Sequence, residues 1–419
     1  MTEEHEYDLP EGWRHGRIGG VVLKAKQRDP RKAPEAMFQY VDVSGVSNES
    51  FRITEATPLK GKDAPSRARK EILEDDVLFA TVRPTLKRVA LVPKELHGQI
   101  ASTGYSVLRS DKSKVEPRYL YAHLLTDGFI ARMGSLERGA GYPAVRESDV
   151  LGSPLPLPPL PEQQRIAQVL STVQEAIAQQ ERLIRTTTEL KQALMQKLFT
   201  EGLRGEALKE TEIGRVPESW EVVALRDVCD FQSGGTPSKQ RPEYWDGAIP
   251  WVSPKDMKRP RLTDVVDHIS EEGLEAGSRL APAGSVLIVI RGMILAKDVP
   301  VAIAEVPMAI NQDMKAIIPG DRIVADFLLY ALVAYKEKLF HKVGRSAHGT
   351  MTLMSEEIFS FQVPLPPLEV QSQIADVFKN MDLKLELHAR RRDELKDLFR
   401  TLLHELMPGK VRVGEHQFT

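Results

Sequence analysis

Only one cysteine, Cys229, occurs in the 419 residues. The chain therefore forms no internal disulfide and no cysteine-based metal cluster, which fits a reducing cytoplasm. Long apolar runs are missing too: the strongest, "SVLIVI" at residues 285–290, is far too short to cross a bilayer. The first residues, "MTEEHEYDLPEGW", are acidic and lack the apolar stretch of a secretory signal. Charge of one sign is also lacking. The formal net charge is −2, residues 1–155 hold 24 Lys/Arg against 22 Asp/Glu, and residues 209–363 hold 18 against 22. A uniformly basic nucleic-acid coat is excluded, so any nucleic-acid contact rests on local clusters. Catalytic signatures are absent as well: no GxxxxGK[ST] loop, no HExxH, no Asp-Pro-Pro-aromatic motif, and no ligand spacing among the ten histidines. Pairs such as Asp75-Asp76 and Glu356-Glu357 read as helix or turn surface.

What is present is a repeat. "PLPPLPEQQRIAQVL" at residues 156–170 returns as "PLPPLEVQSQIADVF" at 364–378, so that Ile166 meets Ile374, 208 positions on. "LPEGW" at 9–13 returns as "VPESW" at 216–220. Weaker echoes link "DDVLFATV" (75–82) to "GSVLIVIR" (284–291), "ASTGYS" (101–106) to "INQDMK" (310–315), and "RGAGYPAVRESDV" (138–150) to "RSAHGTMTLMSEEI" (345–358). The flanking apolar frame is kept while the polar residues diverge, which suits two modules that read different things.

Each proline phrase opens a long amphipathic stretch. Positions 166, 170, 173, 177, 180, 184, 187, 191, 194 and 198 follow the 4-3-4-3 spacing of a heptad seam. Seven are apolar: Ile166, Leu170, Val173, Ile177, Ile184, Leu194 and Leu198. The positions 208 further on hold eight: Ile374, Phe378, Met381, Leu385, Leu395, Phe399, Leu402 and Leu406. Pro161 suits a first helical turn and Glu162 the positive end of the helix dipole. Gly202 and Gly205 close the first helix, Pro408-Gly409 the second. A helix over 162–200 measures about 58 Å. With one apolar seam each, the helices are expected to pair with one another as an antiparallel intramolecular coiled coil, holding two globular parts apart. Two independent helices, each packed on its own domain, are the alternative.

The globular parts read as α+β, with short β-branched strands between Gly/Pro/Ser/Asp loops. The expected organisation is two tandem, pseudo-two-fold-related α/β domains at 1–155 and 206–363, proline phrase plus helix at 156–205 and 364–410, and a tail at 411–419. Basic clusters lie at 24–32, 60–70, 83–88 and 255–261. The loop 231–261 combines glycines, hydroxyls, basic residues and aromatics, of which Trp245 and Trp251 read first as core anchors.

With these residues in view, the chain resembles the specificity subunit of type I restriction–modification systems. The likeness rests on "PLPPLPEQQRIAQVL" running to "LMQKLFTEGLRG", on "GRVPESWEVVALRDVC" and on "SGGTPS…YWDGAIPWVSPKDM". The first domain departs from the pattern, with "KAKQRDPRKAPEAMFQYVDVSGV" at 24–46 in place of the last phrase. The resemblance implies target-recognition domains that each read one half of an asymmetric bipartite sequence in double-stranded DNA. It implies two methyltransferase subunits docked on the conserved helices, and restriction/motor subunits that complete the complex. S-adenosylmethionine, ATP and Mg belong to those partners; no cofactor, metal, catalytic residue or membrane is expected of this chain. In the first domain, DNA contacts are expected from Lys24, Lys26, Arg28, Arg31, Lys32, Arg67, Arg69, Lys70, Arg83, Lys87, Tyr105, Arg138 and Tyr142. In the second they are expected from Ser233, Gly234, Thr236, Ser238, Lys239, Lys255, Lys258, Arg259, Arg261, Arg291, Asn311, Gln312, Arg345 and His348. Two alternatives stay open: a specificity subunit of a related two-subunit restriction–methylation enzyme, and a non-catalytic coiled-coil scaffold.

Overall fold

The computed structural model describes residues 9–346 and 349–414. The chain divides into two compact units: unit 1 is Met1–Leu183 with His388–Thr419, and unit 2 is Ile184–Leu387. The division falls inside the long helices, so each unit owns half of both. Sequence reasoning separated globular part from helix; packing joins them.

Both units are built on the same two sheets. In unit 1 an antiparallel sheet runs in the spatial order Val22–Leu23, Tyr105–Ser110, Val77–Ala80, Val89–Leu91. A second runs Thr57–Lys60, Met37–Val41, Gln99–Ser102, Ala68–Ile72, with its middle pair parallel. In unit 2 the orders are Cys229–Ser233, Met314–Pro319, Val286–Val289, Val301–Ala304, extended by Arg261–Leu262, and His268–Ile269, Ile249–Val252, Met308–Ile310, Leu280–Ala281, again with the middle pair parallel. The runs "VLFA" and "VLIV" are buried at every position because they form inner strands covered on both faces. Helices Pro117–Leu124 and Ala325–Ala334 occupy corresponding places and are almost wholly buried.

The two repeated phrases turn out to pair with each other. The residues after "LPEGW", Arg14–Arg17, form a ladder with Pro154–Leu157; Glu221–Ala224 does the same with Gln362–Leu365. Alternate prolines are tolerated there because each ladder has only two strands and leaves an outer edge free of hydrogen-bonding demands. A buried glutamine then fastens the helix that follows. Gln163 Nε2 donates to the carbonyls of Pro158 (2.9 Å) and Lys114 (3.2 Å), and its Oε1 accepts from Glu116 N (2.9 Å). Gln371 repeats this with Pro366 (2.8 Å), Arg322 (3.0 Å) and Val324 N (2.8 Å).

The long helices span Leu160–Glu201 and Leu368–Leu406, and both begin at the same place in their phrase despite Pro161 facing Glu369. Every position of the expected seam, the polar middle included, is buried or half-buried. Within unit 2, Phe199 stacks on Phe378 with ring centroids 6.1 Å apart, and Lys191 pairs with Asp382. Within unit 1, Gln180 bonds His388 (2.8 Å), Glu181 pairs with Lys396 (3.1 Å) and Glu162 with Arg412 (2.7 Å). In unit 2, Lys191 meets Asp382 and Phe199 meets Phe378; in unit 1, Gln180 meets His388 and Glu162 meets Arg412, just past the end of the second helix, so the pairing is antiparallel in both units. Each helix half also packs on its unit's sheets: Ile166, Leu170, Phe399 and Leu406 join the unit 1 core, Leu198, Phe199, Ile374 and Phe378 that of unit 2. The helices are thus paired and not independent, and packing on the sheets adds to their seam.

Three expectations change. Glu162 does not merely face a helix dipole. It is buried, accepts from Trp13 Nε1 (3.2 Å) and is clasped by Arg412, so a charge that desolvation would penalise is paired. Asp76 is not turn surface: it is 1 % exposed and accepts from Arg109 (2.8 and 3.0 Å) and Leu73 N. Tyr105 is core, as described below. The closing glycines behave as expected. Gly202 and Gly409 have positive φ, and a side chain at either would lie within 2.9 Å of a proline, Pro217 or Pro10 respectively.

Candidate nucleic-acid interface

Eight of the eighteen expected phosphate-binding cations are already partnered inside their own unit. In unit 1, Arg31 and Arg69 share Asp29 (3.1 and 3.2 Å), Arg28 reaches Glu71 (3.7 Å), Lys70 holds Glu147 (2.9 Å), Lys87 holds Asp127 (2.6 Å) and Arg138 holds Asp149 (2.6 Å). The hydrogen bond from Arg31 holds the Asp29 carboxyl below its usual pKa, and that from Arg138 does the same for Asp149. In unit 2, Lys255 holds Asp267 (2.7 Å), while Arg261 is gripped by Glu305 and Asp326. Burial opposes the Arg261 charge, but the Asp326 and Glu305 carboxylates outweigh it and raise its pKa. Arg261 is thereby a structural residue of its sheet edge. Among the described residues, Lys24, Lys26, Lys32, Arg67 and Arg83 of unit 1 and Lys239, Lys258, Arg259, Arg291 and Arg345 of unit 2 are exposed and make no ion pair.

The polar candidates divide in the same way. Tyr105 is 1 % exposed, and its hydroxyl donates to the carbonyls of Asp42 (2.8 Å) and Val43 (3.2 Å), with burial pushing its pKa up. It ties a loop to the core and is unavailable to DNA. The glycine of "SGGTPS" is explained from within the fold: a Cβ on Gly234 would sit 2.2 Å from the carbonyls of Ile310 and Asn311. Asn311 is buried and accepts from Asp313 N (2.6 Å), and Thr236 bonds exposed Gln312. Ser233 accepts from Lys315 (2.9 Å), a lysine that sequence reasoning missed. Lys315 is 5 % exposed, lies over the Phe359 ring (5.3 Å), and has its pKa lowered by burial. Ser238 accepts from Gln240 N (3.3 Å), and its carbonyl receives the Trp245 indole. Trp251 is buried against Trp245, so both tryptophans are anchors, as first read. His348 lies outside the described residues.

A smaller set does converge. In unit 1 the strand Val77–Ala80 leads into a tight 3-10 turn, Pro84–Leu86, flanked by Arg83 and Lys87, both at positive φ (48° and 53°). Such angles cost a non-glycine residue energy. The turn is braced by the neighbouring hairpin: Val82 and Arg138 both bridge to Ala144, and Arg83 N donates to Pro143 O (2.7 Å). At the tip the Arg83 guanidinium lies over the ring of Tyr142 (5.4 Å), which is 78 % exposed. A guanidinium stacked on a ring keeps its N–H donors for other partners.

Unit 2 has the same device. Strand Val286–Val289 leads into the turn Met293–Ala296, and the hairpin Gly344–Arg345/Met351–Thr352 braces it through the bridge Arg291–Thr352 and a bond from Gly292 N to Met351 O (3.0 Å). The exposed side chains there are mixed: Met293 and Ile294 on the turn, with Arg291, Lys297 and Arg345 around it.

The comparisons with known proteins bear on what these tips face. The model of the type I restriction modification DNA specificity domain matches residues 10–186 and again 217–397. The chain belongs to that family. It is 24% identical to the MjaVIII specificity subunit of Methanocaldococcus jannaschii over 100% of this chain and 97% of that one. It is 35% identical to the EcoR124I/EcoR124II specificity subunit of Escherichia coli over 38% of this chain, spanning 40% of that relative's length. Among solved structures, one from work on complex assembly and conformational transition of the type I R-M system matches at 30% identity and a TM-score of 0.57, covering 97% of this chain and 100% of that one. The type I S subunit from M. genitalium matches at a TM-score of 0.64 and 16% identity over 97% and 98%, a likeness of fold. This type I specificity chain thus recognises DNA through two domains. Among its described residues no cluster of three His, Cys, Asp or Glu could hold a metal, and no helix is long and apolar enough to cross a membrane.

Proposed function

We propose that each unit reads one half of an asymmetric bipartite target in double-stranded DNA, and that the paired helices fix the gap between the halves. The observation that carries this is the recurrence of one fold whose turn-and-hairpin tip holds Arg83 and Tyr142 in unit 1 and Met293 and Ile294 in unit 2. A shared scaffold with different tips suits two readers of different sequence. Phosphate contacts would come from the unpaired cations Lys24, Lys26, Lys32 and Arg67 in unit 1 and Lys239, Lys258, Arg259, Arg291 and Arg345 in unit 2; these set register, while the tips address base edges.

The long helices would dock two methyltransferase subunits, with restriction/motor subunits completing the complex. Leucines off the seam support this: Leu190, Leu383 and Leu387 of unit 2 are 52 %, 54 % and 51 % exposed, an outward apolar face on helices whose inward face is already filled. S-adenosylmethionine, ATP and Mg would be held by those partners, this chain contributing recognition and not chemistry. The two-subunit alternative shares this recognition role. A gel shift with the purified chain and its methyltransferase subunits tests the reading. One duplex sequence should be retained in the presence of excess random DNA; equal retention of all duplexes, or of none, would contradict it.

A further inference from the structure

The two sheets of unit 2 are joined by a tight turn, residues 311–314, between the strands Met308–Ile310 and Met314–Pro319. Its backbone is fastened on every side. Met314 N closes the turn on Asn311 O (3.1 Å), Asn311 N donates to Val252 O (2.9 Å), and the buried Asn311 side chain accepts from Asp313 N (2.6 Å). Asp313 O in turn accepts from Ile290 N (2.8 Å) and Arg291 N (3.3 Å), which ties the turn to the end of the strand Val286–Val289. One side chain of the turn, Gln312, is left exposed at its apex. A surface glutamine ordinarily keeps its rotamer freedom. This one is held: the Thr236 hydroxyl donates to its Oε1, and Thr236 belongs to the loop whose Gly235 N donates to Ile310 O (2.9 Å).

The segments bonded to this turn carry free cations. Arg291 is on one, Lys239 lies three residues beyond Thr236, and Arg345 is on the strand whose partner reaches Arg291 through Thr352. All three are exposed and without ion pairs among the described residues, while Asp313, the acid of the turn, is half-buried. Cations of this kind take phosphates and set register, leaving a fixed neutral group between them to address a base. With Thr236 on one lone pair of Oε1, the second lone pair and an Nε2 hydrogen remain side by side. Adenine presents the matching pair in the major groove, the N6 donor beside the N7 acceptor; guanine presents two acceptors, cytosine one donor and thymine one acceptor. We infer that Gln312 is a specificity-determining residue that reads an adenine in the half-site recognised by unit 2, with Thr236 as the residue that positions it. The inference rests on the proposed reading that each unit reads a half-site, and it names a residue and a base for one of them.

The test uses the full chain in complex with its methyltransferase subunits and a duplex carrying its target. Each adenine of the half-site assigned to residues 206–363 is replaced in turn by 7-deazaadenine, which keeps the base pairing and removes the N7 acceptor. One replacement should weaken wild-type binding about tenfold, the effect of a bidentate contact broken. Gln312→Ala should bind that duplex and the unmodified one equally. So should the isosteric Gln312→Glu, whose carboxylate keeps the Thr236 bond but has no hydrogen to give N7. A half-site without adenine, equal wild-type binding at every adenine position, or a difference that persists in either variant would overturn the inference. Failure of the wild-type complex to select its unmodified target over random duplex would sink the underlying reading instead, so the two failures are distinguishable.

Discussion

Replacing the buried glutamine of either proline phrase with leucine is expected to destabilise the corresponding unit by about 3–5 kcal/mol. Gln163 and Gln371 are 1 % and 0 % exposed, and each makes three hydrogen bonds to backbone groups. Leucine fits the volume but leaves one N–H and two carbonyls without their partner. An orphaned buried group costs about 1–3 kcal/mol, with the N–H at the high end because it has no second valence to use. Glutamate is a sharper probe: it still accepts from the N–H but donates to neither carbonyl unless protonated, so its defect should shrink as pH falls toward 4. Urea unfolding of the whole chain reads the effect, through Trp220, Trp245 and Trp251 for Gln371→Leu and through Trp13 for Gln163→Leu. A loss below about 1 kcal/mol in both variants would show that these bonds do not fasten the helices.

Burial lowers the His123 pKa to about 4, partly opposed by its hydrogen bond to the Pro154 carbonyl (3.1 Å). The neutral ring is favoured in the fold, so this contribution is complete above pH 6.5 and lost as pH falls toward 4, a change of about 3 kcal/mol. Urea midpoints at pH 7 and 4.5 should therefore diverge more in the wild type than in His123→Gln. Neutralising exposed Lys258 and Arg259 should make the logarithmic salt dependence of DNA binding shallower by about 2, whereas Arg261→Met should lower stability instead; filter binding across salt concentrations checks the first and thermal unfolding the second. Exchanging residues 1–155 for those of a related chain should change one half-site only, read by mapping the methylated bases.

The helical part of the fold was legible because a heptad seam is a local, periodic signal. All ten seam positions of each helix are covered, even where Gln180, Lys191 and His388 interrupt the apolar series. The repeat itself announced the duplicated sheets, though strands of two to six residues carry too little periodicity to show their order. The recurrence of Gln163 as Gln371 was visible but had no local pattern to explain it, since two of its three partners lie about fifty residues earlier in the chain. The site was less legible. Charge in sequence does not reveal its partner: Arg261 meets carboxylates 44 and 65 residues away, and Lys70 meets Glu147. Tyr105 looked available because burial belongs to the fold and not to the surrounding letters.

A methylation map made with shortened helices tests the central claim most directly. Removing seven residues from each, 177–183 and 390–396, which leaves Leu190, Leu383 and Leu387 in place, shortens both by about 10 Å, roughly three base pairs of DNA. Paired helices that set the spacing predict the same two half-sites with a gap shorter by about that amount. An unchanged gap with full methylation, or altered half-sites, would contradict it.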